Sequence, residues 1–265
     1  MSVSRSGYYA WTRRPECARR ARQQERTEKI RKSFEQSRRR YGSPRVTADL
    51  RAGGEKISRK TVEKLMKQAG LRVSRRRRFV PRTTDSSHDH PIADNKLSRE
   101  FAADRPNQKW VCDITYIPTQ EGWLYLAAVM DLYSRKIVGY SIRDHLKVEL
   151  VAQAMTMAIG RRKPAAGLLH HSDRGCQYAS VDYRQILTAH GIDASMSRRG
   201  NCYDNATMES FFGTLKTELV NDAEYATHED AWVSLFEWIE VVYNRQRRHS
   251  SLGYLSPEAF EARIN

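Results

Sequence analysis

The spacing of apolar residues changes period near Pro106, and one kind of secondary structure cannot satisfy both sides of that point. After it, "KWVCDITYIPT", "WLYLAAVMDL" and "RKIVGYSI" are rich in β-branched and aromatic residues and predict three strands. The second and third meet around "YSR", as in an antiparallel meander. "KVELVAQAMTMAIGRR" predicts a helix, "GLLHH" a short strand, "VDYRQILTAHG" a helix and "IDASMS" a fifth strand, with more helices beyond. The order β-β-β-α-β-α-β implies an α/β unit, a mixed five-stranded sheet with flanking helices. Before Pro106 the pattern is helical. Gly42 and Pro44 stop one helix and Ser43-Pro44 opens the next, which Gly53-Gly54 closes. A third runs from the N-cap Ser58 to Gly70, burying Val62, Leu65 and Met66 and projecting Arg59, Lys60, Lys64 and Lys67. Two short helices joined by a Gly-containing turn fit an all-α helix-turn-helix domain with its recognition helix at 58–69.

Charge divides the chain in the same way. Residues 1–100 carry 28 Lys+Arg against 11 Asp+Glu, and residues 101–265 carry 18 against 20. A basic helical module beside a near-neutral one predicts that the first holds a polyanion, and double-stranded DNA is the expected partner. Arg75, Arg76, Arg77 and Arg78 add a block of charge after the recognition helix. No long apolar amphipathic stretch, leader pattern or membrane-length apolar run points to a membrane. The four cysteines form no CxxC pair, and Cys112, Cys176 or Cys202 with His170 or His171 matches no common zinc spacing. The expected organisation is a helix-turn-helix domain at 1–78, a linker at 79–102 that holds His88 and His90, a core at 103–222, and a helical extension at 223–265.

Three carboxylates stand out in the core. Alternation puts Val111, Asp113, Thr115 and Ile117 on one face of the first strand, so a charge interrupts an apolar row. Asp173 closes the strand "GLLHHS", where it is either a turn former or a ligand. Glu209 lies at the edge of the stripe Met208, Phe211, Phe212, Leu215 and Leu219 on a helix opened by Asp204 or Asn205. Lys216 returns to nearly the same face two turns later. Each has an ordinary structural explanation. Together they suit magnesium, which takes a few carboxylates plus water and phosphate oxygens. Two such ions about 4 Å apart clamp the attacking and leaving oxygens of a phosphoryl displacement.

The motifs "CDITYIPT", "HHSDRGCQYAS", "SMSRRGNCYDNATMESFFGTLKTEL" and "YNRQRRHSSLGYLSPEAF" resemble those of DDE transposases of insertion-sequence family three, in the retroviral-integrase superfamily. The stretches "SRSGYYAW" and "RYGSPRV…ISRKTVEKLMKQAGLR" resemble the helix-turn-helix region of the same downstream reading-frame product. Between Asp173 and Glu209 lie 35 residues, the spacing of that family. The resemblance covers nearly the whole chain and implies a ribonuclease-H-like catalytic core with the triad Asp113, Asp173 and Glu209. It also implies two Mg²⁺ ions with Mn²⁺ as substitute, and a DNA contact by Lys216 near the scissile phosphate. Asn205, Tyr243, Asn244, Arg248 and His249 belong to the family pattern, and Asp131 is an acidic residue expected to be structural.

The implied activity is metal-dependent 3′-end cleavage and strand transfer by a homo-oligomer on DNA, in the bacterial cytoplasm and nucleoid. In this family the full enzyme is often a frameshift fusion whose upstream part supplies another helix-turn-helix and a zipper. This chain has no heptad run of zipper length, so the upstream product is an expected partner. A metal-dependent nuclease without strand transfer and a DNA-binding regulator remain as alternatives at this point.

Overall fold

The computed structural model describes residues 4–12, 17–73, 91–198 and 202–263. They belong to two compact units, Met1–Arg75 and Arg76–Asn265. Arg75, Arg76, Arg77, Arg78, His88 and His90 lie outside the described residues. No described helix is long and apolar enough to cross a membrane.

The first unit is helical: α1 (Arg5–Thr12), α2 (Ala18–Gln36), α3 (Ser43–Ala52) and α4 (Arg59–Gln68). Pro44 sits in the first turn of α3, where its missing N–H costs nothing. The Ser58 hydroxyl accepts from the Thr61 N–H and caps α4, and Gly70 follows at φ +68°, a left-handed conformation that glycine adopts without strain. Ile30 and Phe34 of α2, Val46 and Leu50 of α3, and Val62, Leu65 and Met66 of α4 form one small core. Arg59, Lys60, Lys64 and Lys67 stand exposed on the other side of α4.

The second unit is built on a mixed five-stranded sheet in the order β3-β2-β1-β4-β5. Its strands are β1 (Lys109–Thr119), β2 (Gly122–Asp131), β3 (Ile137–Arg143), β4 (Leu169–Ser172) and β5 (Asp193–Met196). β1 to β3 run antiparallel, and β1, β4 and β5 run parallel. Between them come α5 (Val148–Arg162), the short α6 (Cys176–Ala179) and α7 (Val181–Ala189), and after them α8 (Ala206–Glu218) and α9 (His228–Glu237). α9 continues as a π-helix over Trp238–Gln246, and α10 (Pro257–Glu261) closes the described chain.

Each sheet face carries its own core. Val111, Ile117, Leu126 and Met130 meet Met208, Phe211 and Leu215 of α8 together with Leu235, Trp238, Ile239 and Tyr243. On the other face Trp110, Val129 and Val138 meet Leu150, Ala154 and Ala158 of α5 and Tyr178 and Tyr183. α5 lies so close to β3 that a Cβ on Gly139 would stand 2.2 Å from the Ala154 carbonyl oxygen. The residues after 222 therefore complete a core layer of the sheet unit. Asn244 shows how: its side-chain amide accepts from the Ile137 N–H and donates to the Ile137 carbonyl, both at 2.9 Å.

Two local expectations change. Neither Asp204 nor Asn205 caps α8 with its side chain. Asp204 instead accepts from Arg99, Asn95 and Arg198, and Asn205 donates to the Cys112 carbonyl at 3.0 Å. Within the stretch read as linker, Asn95–Arg99 is held to the sheet unit. The Lys96 and Leu97 N–H groups donate to Ser195 Oγ, and Leu97 is buried in the core on the α8 face. The physical reason is one large apolar side chain, Leu97, whose burial outweighs the polar composition around it.

Candidate active site

Register brings the first two carboxylates together. β1 and β4 pair in parallel as Trp110↔His170 and Val111↔His171. Continuing that register by two residues sets Asp113 beside Asp173, just past the end of β4. Val111 faces the core that α8 covers, so the residue two further on, Asp113, points to the side of the sheet that carries Glu209. Asp113, Asp173 and Glu209 are all partly exposed.

Electrostatics shows the same convergence. Burial, with the negative charges of Asp173 and Glu209 adding to it, pushes Asp113 well above the usual carboxylate range. The Ile114 N–H, donating to Asp113 Oδ1 at 2.8 Å, and the charge of Lys216 oppose that shift. Lys216 itself lies with its Nζ 4.4 Å from the centroid of the Tyr116 ring, and burial lowers its pKa against the pull of Asp113. Asp173 also shapes its own turn, because Oδ1 accepts from the Gly175 N–H at 3.0 Å. The turn-forming reading of Asp173 therefore describes this bond.

Two residues not singled out for chemistry by the sequence complete the surroundings. Tyr178 is buried with its hydroxyl lacking a hydrogen-bond partner, and the charges of Asp113 and Asp173 both act on it. Asn205, buried against the backbone of Cys112, leaves its Oδ1 without a partner. Buried orphan donors and acceptors are uncommon, and beside a group of carboxylates they suit the waters of a hydrated cation. The nearest sequence signal for Tyr178 was its place five residues after Asp173. Among the described residues no three His, Cys, Asp or Glu side chains form a ready-made cage for an ion. The three carboxylates nevertheless supply oxygen donors of the kind that a hard cation takes.

The histidines of the motif are structural. His170 Nε2 lies 3.0 Å from both Cys112 Sγ and the Tyr183 hydroxyl, and burial lowers its pKa to about 3. His171 is held between Ser195 and Ser197, with burial lowering its pKa to about 4. Cys112 is therefore occupied by a histidine and a tyrosine. Asp131, as expected, is architectural: its carboxylate accepts from the Asn107 and Tyr133 N–H groups and from Arg162, which also binds Glu261. Of the C-terminal family residues, Asn244 ties down β3, Tyr243 stacks edge-on with Phe211, and Arg248 donates to the Tyr254 carbonyl.

Family models and named relatives match most of this chain. Residues 21–79 match an HTH-like domain, and residues 103–202 and 190–257 match two models described as Integrase core domain. The uncharacterized 31 kDa protein of insertion element IS600 from Shigella sonnei is 44% identical over 263 residues, covering 99% of this chain and 96% of its own. Transposase InsF for insertion sequence IS3A from Escherichia coli (strain K12) is 43% identical over 268 residues, covering 98% of this chain and 91% of its own. Among solved structures, the simian T-cell lymphotropic virus intasome in complex with PP2A regulatory subunit B56 gamma aligns over 87% of this chain and 74% of the other. Its TM-score is 0.50 at 14% identity, a likeness of fold. Near-full-length identity to these relatives, together with the integrase core and the HTH-like domain, makes this chain a member of the IS3 family of transposases.

Proposed function

We propose that Asp113, Asp173 and Glu209 are the ligand set with which this transposase cuts DNA at a 3′ end and joins it to a new site. The observation that carries the reading is that Asp173, Glu209 and Lys216 all act electrostatically on Asp113, in the middle of β1 and in register with Asp173 past the end of β4. The three carboxylates would hold two Mg²⁺ ions, with Mn²⁺ as substitute. A ready-made cage is not required, since magnesium keeps several waters and takes the rest of its oxygens from one or two carboxylates and a substrate phosphate. When bound, such ions supply Lewis-acid stabilisation and a nucleophilic oxygen at neutral pH. The chain's own residues do the rest. Asp113 and Asp173 present oxygens from adjacent strands of a rigid sheet, and Glu209 presents one from α8. Lys216, its ammonium over the Tyr116 ring, would direct a positive charge toward the phosphate. Because no protein nucleophile is involved, water and a 3′-hydroxyl serve as interchangeable attackers in one site.

The remaining parts follow by division of labour. Arg59, Lys60 and Lys64 on the exposed face of α4, with Arg75, Arg76, Arg77 and Arg78 beyond it, would contact DNA phosphates or base edges. Action on two element ends calls for a homo-oligomer on DNA, with the upstream reading-frame product as a further partner. The expected place of action is the nucleoid of a bacterial cytoplasm.

Nicking of supercoiled plasmid in Mg²⁺ or Mn²⁺, followed by a strand-transfer assay with labelled element ends, tests this. Wild type should nick and join, and Glu209→Gln should do neither while still binding DNA. Equal nicking by both proteins would remove Glu209 from the site. Nicks without joined products would favour the nuclease reading.

A further inference from the structure

The segment Asn95–Arg99 is linked, by two chains of hydrogen bonds of up to three side chains each, to the neighbourhood of the three carboxylates. One route passes through Asp204, which is fully buried. Its Oδ2 accepts from Asn95 Nδ2 at 2.9 Å, and its Oδ1 accepts from Arg99 Nε at 3.0 Å. Arg198 adds three more bonds, from its backbone N–H, its Nε and a terminal nitrogen. The next residue, Asn205, donates to the carbonyl of Cys112, the residue before Asp113, and α8 with Glu209 begins immediately after it.

The other route passes through Ser195. Its Oγ accepts from the N–H groups of Lys96 and Leu97 at 3.0 and 3.2 Å, so its own hydrogen goes to His171 Nδ1 at 2.8 Å. That fixes the tautomer: His171 carries its proton on Nε2 and donates it to Ser197 Oγ, 3.0 Å away. Ser197 in turn donates to the carbonyl of Ser172, the residue before Asp173. Both routes start on one short segment and end one residue from a carboxylate.

We propose that Asp204 and Ser195 are positioning residues, through which the seated Asn95–Arg99 segment sets the spacing of Asp113, Asp173 and Glu209. The proposal rests on the reading of those three as metal ligands. A purely architectural carboxylate would support the fold and leave the spacing alone. Asp204 differs because it ties the Asn95–Arg99 segment to Arg198, just past the end of β5, and itself lies two residues before the start of α8. Residues that orient metal ligands without touching the ion typically change affinity or activity by about 10- to 100-fold when replaced.

The test is Mn²⁺ binding by the full-length chain, followed by electron paramagnetic resonance well below the unfolding temperature. Asp204→Asn should bind Mn²⁺ at least about tenfold more weakly, Ser195→Ala less so. In both, kcat for nicking should fall while KM for DNA holds. Asp131→Asn serves as the architectural control: it should lower the unfolding temperature and keep the Mn²⁺ affinity. Should Asp204→Asn fail to fold, the surface-side pair Asn95→Ala with Arg99→Gln carries the same expectation. A folded Asp204→Asn, or that pair, with wild-type Mn²⁺ affinity would overturn the proposal, provided Glu209→Gln has lost it. If Glu209→Gln binds as tightly as wild type, the ligand assignment itself falls and this proposal falls with it.

Discussion

Asp113 and Asp131 lie on neighbouring strands of one sheet, paired to Ala128 and Trp110 respectively, and they are handled in opposite ways. Burial raises the pKa of both. Asp131 is then met by two backbone N–H groups and by Arg162, which Glu261 holds in place, and each of the three works against that rise. Asp113 receives one N–H from its own neighbour, and the structure adds two more negative charges beside it. If Asp113, Asp173 and Glu209 are the ligand set proposed above, this fold stores like charges where a cation would sit and opposes them where it needs only support. The first would then cost stability that a cation returns. The second is stable alone.

Exchange of each aspartate for asparagine should break this contrast most visibly. Asp113→Asn should reduce nicking by about three orders of magnitude. It should leave the fold as stable as before, or slightly more so, because one of three repelling charges is gone. Asp131→Asn should do the reverse, costing about 3 kcal/mol in urea unfolding by stranding Arg162 beside an uncharged partner. Loss of stability in Asp113→Asn comparable with that in Asp131→Asn would end the distinction. A smaller effect is expected from the cation itself. Mn²⁺ at a hundred times its dissociation constant should stabilise wild type by about 2.7 kcal/mol, and stabilise Asp113→Asn far less. Equal shifts in thermal unfolding would place the ion elsewhere.

The smallest effect concerns His170, which belongs with the compensated groups. In the fold its imidazole refuses a proton until about pH 3. In the unfolded chain it accepts one near pH 6.5. Between those values the unfolded state binds more protons, so stability should be flat above pH 6.5 and decline as the pH falls toward 3. From pH 6.5 to 5.5 the loss should be about 1 kcal/mol, and His170→Gln should flatten this limb of the urea-unfolding profile. An unchanged slope in the variant would assign the acid lability to other groups.

Much of this was legible in local pattern. The caps and left-handed turns of α3 and α4 follow from Ser58, Pro44 and Gly70, and alternation grouped Asp113 with Val111 on one face of the first strand, the face that α8 covers in the structure. The compensation of Asp131 was not legible. Arg162 and Glu261 come from an α5 terminus and from the end of the described chain, and nothing in local spacing announces such a meeting. Asp204 is a related case. A polar residue before a helix reads as a cap, whereas long-range partners, Arg99 and Asn95, drew its carboxylate away. Leu97 and Phe101 were the hints that the segment preceding Pro106 packs on the core.

Asn244 has a consequence for how copies of this protein meet. β3 is an outermost strand, and an outermost strand offers backbone donors and acceptors to any passing chain. At Ile137 both groups are already taken by one side-chain amide. A single asparagine thus insulates the start of that edge against strand-to-strand adhesion, and assembly of protomers at this corner has to proceed through side chains.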